Sequence, residues 1–333
     1  MPEPRVQISP DTINRLMEAV YSPMAMLAGM QLGLFTPLNK EPMSATTLAT
    51  ELGVQSEKLS PLLYALVAAE LLTVENGLFA NTPESDQFLV KDSQNYLGGS
   101  HELLSDLWNA VLQTEETIRT GKPQALHDYN TMSDEALRAL LRGLHGGTVA
   151  LGRILVESLN LSRYRHLVDV GGGSGGLAIG ACQLCEHLQA IVIDLPKTAS
   201  ISEEFIAEAE MSKRITVKPI DVTRTIPQGK FDIAVLRAFI QVLSADQAQQ
   251  VICNLSEAIE SSGTIAIIGR IVDDSRLTPV ENVSFNLVFL NIYDEGRCYT
   301  ESEHRQWLNE AGFVDFKHQS LPDGSSMITA RKD

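Results

Sequence analysis

Basic residues are scarce in this chain: 26 lysines and arginines stand against 42 aspartates and glutamates, a formal net charge of −16 over 333 residues. Nucleic acid needs a clustered cationic face, so it is not an expected partner. Cysteine is scarcer still, and the four present, Cys182, Cys185, Cys253 and Cys298, are too scattered for a disulfide framework. Cys182 and Cys185 form a C-x-x-C on an apolar helical stretch with no second pair, which reads as packing and not as a metal site. No apolar run approaches the roughly 18 to 20 residues that span a bilayer, and the opening MPEPRVQISP lacks the apolar segment of a signal peptide. These absences leave a cytoplasmic protein without a membrane partner, and a small molecule as the expected ligand. What is present, 44% hydrophobic and 20% charged residues, is an ordinary globular composition. The length suits two domains.

Residues 11 to 36 carry apolar positions on a helical period and end at a glycine-containing break, which predicts a helix burying Leu16, Ala19, Val20, Met24, Met26 and Leu27 against a partner subunit or an intrachain core. Between 43 and 83, two helical patterns separated by Gly53-Val54 precede two short strands around Glu75-Asn76-Gly77, the plan of a winged helix-turn-helix. Its second helix offers only Lys58 as a base, so dimerisation is a better use for it than reading DNA. From 98 to 162 the pattern is helical, with breaks expected at Gly121-Lys122-Pro123 and at Gly146-Gly147. From 165 onward short apolar runs alternate with helical stretches, which predicts a Rossmann-like, doubly wound α/β fold with its ligand beyond the carboxyl ends of the strands. The expected domains are 1–100, a winged-helix dimerisation domain, and 101–333, a helical linker with the cofactor-binding α/β domain.

The stretch VDVGGGSGGLAIG runs from strand to glycines to helix, and Gly171, Gly173 and Gly176 fit G-x-G-x-x-G. A dinucleotide pyrophosphate gains from the positive end of a helix dipole, but Asp169, two residues before the first glycine, would repel it. S-adenosylmethionine reverses the sign, because its methionyl end carries an ammonium and a sulfonium and no phosphate. Asp194, ending AIVID, is placed to accept from two ribose hydroxyls. Asp221 can accept from an adenine amino group or cap the following turn.

The order of a winged helix, a helical linker, LVDVGGGSGG, VIDLP, PQGKFD, LRAFIQVLSADQ and CYTESEHRQWLNEAGF resembles the S-adenosylmethionine-dependent O-methyltransferase family of the hydroxyindole and caffeate type. The resemblance covers nearly the whole chain. It implies a homodimer with interlocked N-terminal domains, and a cofactor held by the positions of Asp169, Gly171, Gly173, Asp194, Asp221, Val222 and Arg237. It also implies a substrate-facing segment carrying Asn286, Phe289, Asn291 and Tyr293, with His101 and His145 as further pocket candidates.

Members of that family usually have a histidine base where this chain has Gln241, oriented by two glutamates where this chain has Gly269 and Cys298. A phenol ionises near pH ~10 and a base positioned on it is worth roughly 10²- to 10⁴-fold, so the loss matters. Three acceptors fit such a site: a thioether with no proton to lose, a thiol or acidic hydroxyl that ionises unaided, or a hydroxyl served by His145. The first needs no new base, so the sequence leans to S-methylation of a thioether or thiol, with Gln241 lining the pocket. The alternative is O-methylation through His145 or through ionisation of the acceptor itself, and a further one is a silent cofactor- or DNA-binding regulator. Arg142, Arg153 and Arg270 are the cations available to an acidic acceptor, and His304 reads as a solvated helix face.

Overall fold

The computed structural model describes residues 8–333 except 92, 94, 95 and 323. Contacts separate the chain between Ser105 and Asp106 into two compact units. The first is built from α1 (Asp11–Glu18), α2 (Tyr21–Leu32), α3 (Phe35–Leu38), β1 (Met43–Ser44), α4 (Ala45–Leu52), α5 (Ser56–Ala68), β2 (Leu72–Glu75), β3 (Leu78–Asn81) and α6 (Pro83–Phe88). Ser44 caps α4 by accepting from the Thr47 amide, and Gly53 ends it in the left-handed region at φ 67°, a conformation that glycine adopts without a Cβ penalty. The antiparallel sheet runs β1-β3-β2, so the wing sits where the Asn76-Gly77 turn placed it. Leu34, Phe35, Leu48, Leu63, Leu66, Leu72 and Phe79 close its core.

The predicted helix over 11 to 36 is three helices, interrupted after Glu18 and at left-handed Gly33. Of the two partners expected for its apolar face, the intrachain core takes only part, which leaves the partner subunit for the rest. Within the single chain no residue of α1 is buried, and Leu16, Val20 and Met24 are exposed; α2 buries Ala25, Leu27 and Met30.

The second unit begins within α7 (His101–Val111) and continues with α8 (Thr114–Thr120), α9 (Asp134–Ser158), β4 (His166–Val170), α10 (Gly176–Leu184), β5 (Gln189–Asp194), α11 (Pro196–Glu208), β6 (Ile215–Pro219), β7 (Phe231–Arg237), α12 (Ala245–Ala258), β8 (Ile259–Gly269), α13 (Val280–Ile292), α14 (Glu301–Glu310), β9 (Phe313–Ser320) and β10 (Ser326–Lys332). Its seven-stranded sheet has the order β6-β5-β4-β7-β8-β10-β9, parallel except at β10. The central strands β4, β5, β7 and β8 are rich in Ile, Val, Leu and Ala because both faces are covered. One face packs on α12 and α14 and the other on α9 and α10. The order reverses at β4, so the carboxyl ends of β4 and β7 flank the switch point at which such sheets bind ligands.

α9 corrects a second expectation: it runs unbroken through Gly146 and Gly147. The glycines that matter for packing lie elsewhere. A Cβ at Gly152 would overlap the Leu177 carbonyl and one at Gly180 the Val149 carbonyl, so α9 and α10 cross backbone against backbone and hold α9 on the glycine loop.

Candidate functional site

β4 ends at Val170, and the loop that follows turns through three left-handed glycines, Gly171, Gly173 and Gly175, at φ 64°, 56° and 69°. Side chains are excluded on contact grounds too. A Cβ at Gly171 would overlap the Phe239 ring, and one at Gly172 would stand 2.9 Å from the Asp169 carboxyl. The loop is therefore folded down onto Asp169, which is 1% exposed and whose Oδ2 has no hydrogen-bond partner. Burial pushes this carboxyl up to about 7; the charge of Asp194 adds to the rise and Arg237 opposes it. A buried, unpartnered carboxylate oxygen is costly unless a cation or donor arrives.

Asp194 closes β5 and ties the loop down, its Oδ2 accepting from the Gly173 amide at 2.8 Å and its Oδ1 from the Leu195 amide at 2.8 Å. Each carboxylate oxygen keeps further acceptor capacity for a diol. Ser202 of α11 donates to the Gly173 carbonyl, fixing the loop from its other side. Asp221 forms the turn cap anticipated as one of its two roles: Oδ1 accepts from the Thr223 amide and hydroxyl, and Arg224 approaches Oδ2 at 3.5 Å. Val222, the neighbouring cofactor candidate, has its side chain 3% exposed against the core and its carbonyl accepting from Asn254. Arg237, the last residue of β7, stands within electrostatic reach of Asp169.

Beyond β7 the chain turns at Ala238, held in the left-handed region at φ 52°, into a single 3₁₀ turn, Ile240–Val242. A non-glycine residue in that region is strained and persists where its surroundings over-determine it. The turn sets Phe239 against Gly171 and aims Gln241 at the end of β8, where Oε1 accepts from the Arg270 amide at 3.1 Å and fills the space a Cβ on Gly269 would take. Cys298 is buried, donates to the Asn282 carbonyl, and has its thiol pushed up to about 12 by burial, so it supplies no base.

His145 lies on α9 over the loop, Nδ1 at 2.8 Å from the Ser174 hydroxyl and its ring 4.6 Å from that of Phe205. Burial, then Arg142, lowers its pKa, so the imidazole is neutral at pH 7. It braces the glycine loop through Ser174. His101 belongs to the first unit, with Nδ1 against the Gly98 carbonyl. His304 is corrected: it is 3% exposed, hydrogen-bonded to the Thr300 carbonyl, and pushed down to about 4 by burial.

The α13 residues divide. Asn291 is fully buried and bonded to Thr114, Thr117 and the Leu287 carbonyl. Asn286 accepts from the Cys298 amide, and Phe289 is buried between Phe285 and Tyr293. Tyr293 is half-buried and meets the Tyr129 hydroxyl at 3.1 Å. Tyr129, which the sequence reading missed because it sits in a non-helical segment, lies within range of the Asp194 charge. Tyr293 packs on Gly296, which abuts the Gln241 carbonyl, so the tyrosine pair reaches from the Asp194 side to the Gln241 side. Burial raises both phenols, which makes them donors at neutral pH and not bases. Of the cations, Arg142 pairs with Glu208 and Arg153 with Gln183, while Arg270 stacks 3.8 Å over Phe285 and donates to Asn282. Among the described residues no cluster of His, Cys, Asp or Glu could hold a metal, and no helix is long and apolar enough to cross a membrane.

A strand-end crevice with a glycine loop pressed on a buried acid defines a class of cofactor site, and the comparisons with known proteins agree with it. The O-methyltransferase domain matches residues 105–314 and the O-methyltransferase dimerisation domain residues 14–91. The chain belongs to the O-methyltransferase family and is an S-adenosylmethionine-dependent methyltransferase. It is 27% identical to the tetracenomycin polyketide synthesis 8-O-methyltransferase of Streptomyces glaucescens, covering 97% of both chains. It is 29% identical to the 3-hydroxy-5-methyl-1-naphthoate 3-O-methyltransferase of Streptomyces sahachiroi, covering 91% of this chain and 89% of that one. Human N-acetylserotonin methyltransferase in complex with S-adenosylmethionine shares the fold at a TM-score of 0.84 and 19% identity, over 100% and 99% of the two chains.

Proposed function

We propose that this protein transfers the methyl group of S-adenosylmethionine to the hydroxyl of a small aromatic acceptor, without a histidine base on that hydroxyl. The S-methylation favoured by the residue pattern gives way here, because the two relatives described above are hydroxyl methylating enzymes by name and cover almost the whole chain. The observation that carries the cofactor half is the enclosed Asp169 with its orphaned Oδ2 beneath the glycine loop. An ammonium placed there satisfies the carboxylate, Asp194 has capacity left for the ribose, and Arg237 closes the strand end.

When bound, S-adenosylmethionine supplies an electrophilic methyl on a thioether leaving group. The protein's own residues supply position. The Phe239 ring and the Tyr129–Tyr293 pair border the volume between donor and acceptor, exclude water and orient a flat ring. Holding two reactants in line removes roughly 7 to 11 kcal/mol of barrier in favourable cases, which leaves little for a base to add if the hydroxyl ionises. His145 is engaged with Ser174 on the loop, which favours a bracing role over proton removal. The exposed Leu16, Met17, Val20 and Tyr21 together with the dimerisation domain support a homodimer formed through the first unit.

The test is mass spectrometry of products from methyl-deuterated S-adenosylmethionine and a panel of naphthols, hydroxynaphthoates, aryl thiols, thioethers and aryl amines. Label on the hydroxyl oxygen is the expected result. Label found on sulfur or nitrogen alone, or on nothing, overturns the reading.

A further inference from the structure

Gln241 and Gly269 fit each other as a pair. The strained turn at Ala238 delivers Gln241 to the end of β8, and its Oε1 occupies the place of a Cβ on residue 269 while accepting from the Arg270 amide. That bond fixes which way the carboxamide faces, because the oxygen is committed and only the nitrogen is left. Among the described residues nothing accepts from Nε2, and the side chain is half-buried at the carboxyl edge of the sheet, with Phe239 and the glycine loop on one flank. A glycine at 269 is then not a lost residue but the space that admits this amide.

We infer that Gln241 donates through Nε2 to the acceptor oxygen, so that the site takes acidic aromatic hydroxyls as their anions, the proton having gone to solvent. This rests on the O-methylation reading. The step balances: the aryl oxide lone pair forms the O–CH3 bond as the S–CH3 bond breaks and its electrons stay on sulfur. Relative to neutral acceptor in water, an N–H aimed at the oxygen stabilises the charge still present in the transition state. A neutral amide does this at any pH, whereas a histidine base would impose its own titration. The Tyr129–Tyr293 pair, protonated at neutral pH, keeps one hydroxyl proton beyond the bond between them.

Two measurements test it. First, the pH dependence of kcat/KM is followed with 1-naphthol and its halogenated and nitrated derivatives. Its midpoint should move with the acceptor's own pKa, and a midpoint fixed across the series overturns the inference while leaving O-methylation standing. Second, Gln241→Ala, Gly269→Ala and the double variant are compared. Gly269→Ala in the native background should displace the amide, costing roughly 10- to 100-fold in kcat/KM and lowering the melting temperature. In the Gln241→Ala background the same change should cost less than about 2-fold and leave melting unchanged. Equal effects in both backgrounds overturn the pairing by activity and by melting alike. Gln241→Glu keeps the shape and removes the donor, so full activity in that variant would reduce Gln241 to a space-filler and defeat the proposal.

Discussion

Asp169 shows how a single carboxyl ties sequence to binding. Its folded pKa near 7 lies above the ordinary carboxylic value because the charged form is buried. The native state therefore holds a proton that the unfolded state has released, and stability conferred by the neutral acid is lost as pH rises from about 4 towards 7. Asp169→Asn should accordingly melt higher than the native protein at pH 8 when free of cofactor, by roughly 2 kcal/mol or more, with the difference vanishing near pH 4. Thermal unfolding across that range checks it, and a variant less stable at pH 8 contradicts the buried-charge account. The same substitution should remove the cofactor's stabilising effect. Tyr129→Phe should raise the KM for the acceptor several-fold through loss of its hydroxyl pair with Tyr293, with melting little changed; initial-rate kinetics decide.

Asp169 was legible in the sequence because an acid before a glycine loop has few chemical uses. The role of Gly269 was not, since a glycine in place of an acid reads as loss until the amide of Gln241 is seen in its space. Nor was His304, where a polar stretch around it concealed a ring buried against Tyr299 and Trp307.

At the scale of elements, α9 separates glycines that shape the fold from glycines that do not. Gly146 has nothing within 4 Å of its would-be Cβ and lies in a helix interior. Gly146→Ala should therefore stabilise by roughly 0.5–1 kcal/mol, measured by denaturant unfolding, whereas a loss would restore the break that the sequence suggested. Gly180→Val should be severe, because any Cβ there meets the Val149 carbonyl on α9. The strands β4, β5, β7 and β8 were legible from apolar runs alone, since both faces of the sheet are covered there. Residues 11 to 36 were not, because a helical period continues through a left-handed Gly33 and does not say which chain buries the face.

At the scale of the whole molecule, an O-methyltransferase dimerisation domain precedes the methyltransferase domain. Leu16→Asp with Met17→Asp should shift sedimentation towards a monomer if the exposed face of α1 forms the dimer, and an unchanged profile would place the interface elsewhere. The central claim is that the buried Asp169 carboxylate recognises the cofactor's cation. Calorimetric titration of S-adenosylmethionine between pH 5.5 and 7.5, in buffers of differing ionisation heat, tests it most directly. Binding should weaken as pH falls below about 7 and release a proton that Asp169 gives up. Affinity independent of pH with no proton released, or unchanged binding by Asp169→Asn, would contradict it.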